Sequence, residues 1–170
     1  MDMNEAESVP SPEFMTRNGD LFEKHFPPDL DEQSMILKAH LLLEAALRDF
    51  CAHCVPNPQH LLGARFQFNQ VLSLAQALCP IGPNDFAQKL WAIAKEVNKL
   101  RNAMAHELEP DAKKIDGYKK SIMQKVNDEE RGRSLDFRAC LEYTLGAISA
   151  FLQFALLLDQ YQSSPSDEET

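Results

Sequence analysis

Apolar residues recur at steps of three and four through long stretches of this chain, and no stretch alternates singly between apolar and polar, so the pattern predicts helices and no strands. The first periodic stripe, Leu37, His40/Leu41, Leu47 and Cys51, predicts a helix with Ser34 at its cap or just inside it, ending before Pro56. A second helix is expected from about Gln59 to Leu78, with Phe66, Leu72, Leu74 and Ala75 inward and Pro80 beyond it. A third follows "GPND", where Asn84 suits an N-cap, and carries Leu90, Ile93/Ala94, Val97, Met104 and Leu108 up to Pro110. A Lys-rich helix over about 112–126, a loop at "DEERGRS" and a long helix from about Ser134 to Tyr161 complete the pattern. The expected fold is all-α, an up-and-down helical bundle of five to six helices joined by short loops.

The two ends break this periodicity. Residues 1–16 are polar and punctuated by proline, and "SPEF" before Met15 resembles a cloning-vector junction. The reading is a flexible segment over 1–16, a bundle over 17–161 and a flexible acidic tail over 162–170.

Charges interrupt two of the apolar stripes. Leu90, Ala94, Val97, Arg101, Met104 and Leu108 share one face, as do Leu37, Leu41, Glu44, Leu47 and Cys51. A lone buried charge costs several kcal/mol. The economical expectation is therefore that Glu44 and Arg101 pair across adjacent helices; the alternative is that one or both snorkel to water. Asn98, Asn102 and His106, four apart, form a separate polar row on the third helix. Arg101 and His106 diverge by about 140° on an ideal helix, so they converge only over a ligand or at a distorted helix end. By periodicity alone, a solvated face or a His favoured by the helix C-terminus also accounts for the row.

Composition changes this picture in a few places. The net charge of −9 gives no global attraction to nucleic acid or to an anionic membrane. Residues 95–125 nevertheless carry eight Lys or Arg against five Asp or Glu, leaving −12 elsewhere. Four cysteines, no signal-peptide pattern and no apolar run of spanning length lead us to expect a cytoplasmic protein with free thiols and no membrane partner. "CAHC" (Cys51, His53, Cys54) has C-x-x-C spacing but no second ligand pair, so no metal and no cofactor are expected. Trp91 and the phenylalanines read as core.

"LRNAMAH" (Leu100–His106) resembles the R-N-x-x-x-H form of the Arg-polar-x(n)-His motif of the HEPN superfamily, the higher eukaryotes and prokaryotes nucleotide-binding domains. "ILKAHLLLEAALRDF", "ARFQFNQVLSLAQAL" and "LWAIAKEVNKLRNAMAH" are together similar to small bacterial HEPN-like proteins, over roughly residues 30–160. The resemblance implies a metal-independent endoribonuclease of toxin or defence type. In such an enzyme a 2′-hydroxyl attacks its own phosphodiester and leaves a 2′,3′-cyclic phosphate. Carried over, His106 is the general base or acid, Arg101 neutralises the phosphoryl oxygens, and Asn102 orients the phosphate or His106. Glu44 and Asn98 are expected to support the site, with Lys95, Lys99, Lys113 and Lys114 binding RNA.

The same resemblance implies a homodimer that joins two motifs in one cleft, and a cognate antitoxin as partner. A rival class shares these residues: a non-catalytic interaction or regulatory module, such as an antitoxin, immunity protein or transcription-regulator partner. A solvated helix face also accounts for the lysines.

Overall fold

The computed structural model describes residues 13–62, 65–105, 109–128 and 132–163. Among these the fold is all-α, with seven helices: α1 (Glu13–His25), α2 (Glu32–Cys54), α3 (Pro58–Leu62), α4 (Phe68–Leu78), α5 (Asp85–Ala105), α6 (Ala112–Val126) and α7 (Phe137–Ser163). The only paired extended residues described are Asp128 and Arg133, an isolated bridge across a turn where Gly132 adopts a left-handed φ of 66°.

Local chemistry sets most helix ends. The Asp31 carboxylate caps α2, accepting from the Ser34 N–H at 2.9 Å and the Ser34 hydroxyl at 2.6 Å, so Ser34 lies just inside the helix. Asn84 caps α5 by accepting from the Ala87 N–H at 2.9 Å. Asp111 caps α6, which spans the expected 112–126. The last helix starts at Phe137 rather than Ser134. Asp136 supplies its first acceptor, while the Asn127 side chain holds both the N–H and the carbonyl of Leu135.

Two expectations change. The helix expected over Gln59–Leu78 is broken into α3 and α4, with Gln67 extended at φ −74°, ψ 157°. Arg48 donates to the Phe66 carbonyl at 2.6 Å, and the Gln70 side chain accepts from the Gln67 N–H at 2.8 Å, so α4 starts afresh at Phe68. At the other end of the bundle, α1 begins at Glu13, ahead of the expected start at 17. Phe14 is 2% exposed in the core, and Arg17 ion-pairs with Asp49. The segments 1–12 and 164–170, read as flexible, lie outside the described residues.

α2 is central, packing against α1, α3, α4, α5 and α7. Its buried face is Met35, Ile36, Ala39, His40, Leu43, Ala46, Leu47, Phe50 and Cys51. Leu37 and Leu41, expected inward, are 42% and 47% exposed. α2 and α5 are antiparallel: Ile36 and Leu37 share a recess with Met104 and Ala105, and one turn on His40 meets Asn98. α7 runs with α2, since Met35 lies beside Arg138 and Leu42 beside Leu145. Near the start of α5, Trp91 packs edge-on against Phe151 at 5.4 Å.

Over Phe137–Tyr161, α7 is long and apolar enough to cross a membrane, contrary to the expectation from run length. In the fold one face of it, with Cys140, Leu141, Ile148, Leu152 and Ala155, is buried in the bundle, while Phe154 and Leu157 are exposed.

Because Phe14 fills the core beneath α1, Phe14→Ala is expected to destabilise the protein by about 3 kcal/mol. Urea unfolding measures this, and an unchanged midpoint would detach the start of α1 from the core.

Candidate functional site: a polar cleft between α2, α4 and α5

A cleft of about 370 Å³ opens where α2, α4 and α5 meet, lined by His40, Glu44, Phe66, Gln67, Phe68, Asn69, Asn98, Arg101 and Asn102. Its floor is a hydrogen-bonded chain from three helices. The His40 Nε2–H donates to Asn98 Oδ1 at 3.0 Å, and Asn98 Nδ2 donates to Asn69 Oδ1 at 3.1 Å. His40 is 3% and Asn98 6% exposed, so each removes the other's cost of burial. The Phe68 ring lies 4.7 Å from the imidazole, covering it from the α4 side.

Burial holds His40 below the usual histidine pKa; the bond to Asn98 opposes this, the Arg101 charge adds to it, and the Glu44 charge opposes it. The neutral imidazole is therefore the native form. With Nε2 donating, Nδ1 carries the lone pair, and that buried atom has no hydrogen-bond partner among the described residues.

The expected Glu44–Arg101 pair does not form. Glu44 instead takes Arg48, one turn along its own helix, at 2.7 and 2.9 Å, and Arg48 in turn holds the Phe66 carbonyl on the cleft rim. Half-buried Arg101 donates from Nη1 to Asn102 Oδ1 at 2.9 Å, its Nε is buried without an acceptor, and it has no ion pair among the described residues. The buried polar pair across α2 and α5 is His40–Asn98, one turn from where the charges suggested it.

Among the sequence-predicted site residues, Glu44, Asn98, Arg101 and Asn102 come together in the cleft. His106 and Leu108 lie outside the described residues. Lys95, Lys99, Lys113 and Lys114 are exposed; Lys99 pairs with Glu96 at 3.0 Å. Lys95, Lys99 and Asn102 follow one another along a face of α5 by helical spacing. Lys119 is drawn away to Glu32 and the Phe137 ring, and Lys120 to Asp116.

Sequence reasoning missed His40, Asn69 and the α4 start as parts of this cleft. The available signal was a histidine on an apolar stripe, which needs a buried partner. "CAHC" is structural in character: Cys51 is buried and donates to the Val71 carbonyl, and burial pushes its thiol up to about 12 and that of Cys54 to about 11. No three His, Cys, Asp or Glu gather as metal ligands among the described residues.

The depressed pKa of His40 fixes the sign of a pH effect. An unfolded chain binds a proton near pH 6.5 that the folded chain resists, so stability falls as pH drops below that value. Denaturant midpoints between pH 7.5 and 5 are expected to show this decline, and His40→Gln to flatten it; equal slopes would place the acid sensitivity elsewhere. Asn98→Ala, which strands the His40 N–H and the Asn69 acceptor, is expected to cost about 2 kcal/mol at pH 7.5 in the same unfolding measurement.

Comparison with protein-family models, with curated proteins and with solved structures returns no match to this chain.

Proposed function

We propose that the protein is a HEPN-like, metal-independent endoribonuclease of toxin or defence type, acting in the cytoplasm with Arg101, Asn102 and His106 as its site. The observation that carries this reading is the state of Arg101. Its guanidinium faces a nucleotide-sized polar cleft with one acceptor, Asn102, and no counter-ion among the described residues. A phosphodiester supplies the missing acceptors, because a planar guanidinium binds two phosphoryl oxygens at once.

In the proposed step the 2′-oxygen forms a bond to phosphorus and the P–O5′ bond breaks. His106 takes the 2′-hydroxyl proton, and the imidazolium returns a proton to the departing 5′-oxygen. Arg101 stabilises the charge gathered on the phosphoryl oxygens meanwhile. Lys95 and Lys99 extend the cationic face along α5 for the flanking strand, and Lys113 and Lys114 stand at the start of α6. Exposed Leu37 and Leu41, on the helix that also carries His40, give a second copy an apolar surface, in keeping with a homodimer. A cognate antitoxin would control such an enzyme.

One observation favours the second reading, a non-catalytic module that binds RNA or a regulatory partner. Within the described cleft the acid–base groups are occupied: His40 is held neutral and Glu44 is tied to Arg48. Proton transfer then depends on His106.

The test is purified protein with a labelled RNA pool in EDTA. The expected result is cleavage leaving 2′,3′-cyclic ends, reduced at least about 100-fold in His106→Ala. RNA retained in a gel-shift assay without cleavage, and released by Arg101→Gln, selects the module.

A further inference from the structure

We propose that this cleft reads the nucleotide on the 3′ side of the cleaved bond, and reads it as adenosine. The base lies on the Asn69 amide, and its 5′-phosphate on Arg101, Asn102 and the first N–H groups of α4. The assignment deepens the ribonuclease reading and rests on it for the position of the bond.

The phosphate end follows from unmet donors. The first backbone N–H groups of a helix have no acceptor within it. In α4 those of Gln70 and Val71 bond back to the Gln67 carbonyl, which leaves Phe68 and Asn69 facing the cleft at the positive end of an eleven-residue helix. A second observation points to the same ligand: two residues that line the cleft, His40 and Arg101, each hold a buried nitrogen, Nδ1 and Nε, with no hydrogen-bond partner among the described residues. A phosphate is the kind of acceptor that the Arg101 guanidinium, half-buried in the same cleft, is short of.

The base end follows from the polarity of the hydrogen-bonded floor. Asn98 Oδ1 accepts from His40, so Asn98 Nδ2 must donate, and it does so to Asn69 Oδ1. Asn69 is exposed at the cleft, and its amide is left with free N–H groups and a remaining lone pair on Oδ1. That donor–acceptor pair complements N7 and the N6 amino group of adenine. Guanine offers acceptors at both N7 and O6, so one of its contacts is repulsive. Phe66, on the same wall, gives the base plane an aromatic neighbour.

The spacing agrees. Asn98 and Arg101 are three residues apart on α5, about 4.5 Å along the axis, and both line the cleft together with Asn69. In a nucleotide the N7 edge lies on the side of its own 5′-phosphate, which makes the phosphate read here the one whose P–O5′ bond breaks. The adenosine then leaves with a free 5′-hydroxyl.

Two measurements on the full chain test this. By calorimetric titration, AMP is expected to bind about tenfold tighter than GMP, CMP or UMP. Asn69→Asp keeps the acceptor for Asn98 and removes the free donor; it should bring the AMP-to-GMP ratio close to one without lowering the melting temperature. Asn69→Ala should also bring the ratio close to one, with a lower melting temperature because Asn98 Nδ2 loses its acceptor, whereas Arg101→Gln should weaken all four nucleotides alike. Equal affinities in the wild-type protein, or discrimination that survives in both Asn69 variants, would overturn the proposal. Cleavage of defined oligonucleotides separates it from the reading beneath it. Cutting 5′ of adenosine supports both, and cutting without base preference overturns the adenosine assignment alone. Asn69-dependent adenine binding without cleavage keeps the base assignment and overturns the ribonuclease.

Discussion

The hydrogen bond between His40 and Asn98 is the contact around which the candidate site is organised. Two polar side chains are buried between α2 and α5, and each would destabilise the fold without the other. Their geometry fixes the register of the two antiparallel helices more sharply than apolar packing does, because a shift of one turn would leave both unsatisfied. The start of α4 is placed by the same pair, with Phe68 lying against the imidazole and Asn69 taking the Asn98 amide. The cleft exists because three helices converge on one neutral polar pair.

Features with a local cause were legible in the sequence. The all-α class followed from the apolar period; the bounds of α6 and the cap of α5 followed from its start and stop residues. Features decided by distant contacts were not. The break between α3 and α4 depends on Arg48 reaching the Phe66 carbonyl, eighteen residues away. The inward face of α2 depends on its five neighbours, which bury an arc wide enough to include Met35, Ile36 and Ala39 while Leu37 and Leu41 stay outside.

The misread pair shows the limit most directly. The interrupted stripes pointed to a Glu44–Arg101 ion pair, which does not form; the polar contact between α2 and α5 is His40–Asn98. Its members were displaced by a turn because charge was weighed above burial. Glu44 and Arg48 are four residues apart on one helix, so their ion pair forms at little ordering cost and removes Glu44 from any longer-range partnership. A histidine and an asparagine, uncharged and each able both to donate and to accept, are buried here at a lower desolvation cost than a carboxylate and a guanidinium would be.

That division of labour leaves Arg101 as the informative residue. Arg48 neutralises Glu44 and closes the rim, so among the described residues the Arg101 charge has no ion-pair partner. The fold tolerates this because Arg101 is only half-buried and water reaches part of the guanidinium. An ion pair with Glu44 would have stabilised the resting protein and consumed the site, since an arriving anion would first have to displace a carboxylate. Solvent is the easier competitor. The cost of holding Arg101 with one acceptor among the described residues is recovered when a ligand provides others, and for that reason its spare donors read as part of a binding site rather than as a packing defect.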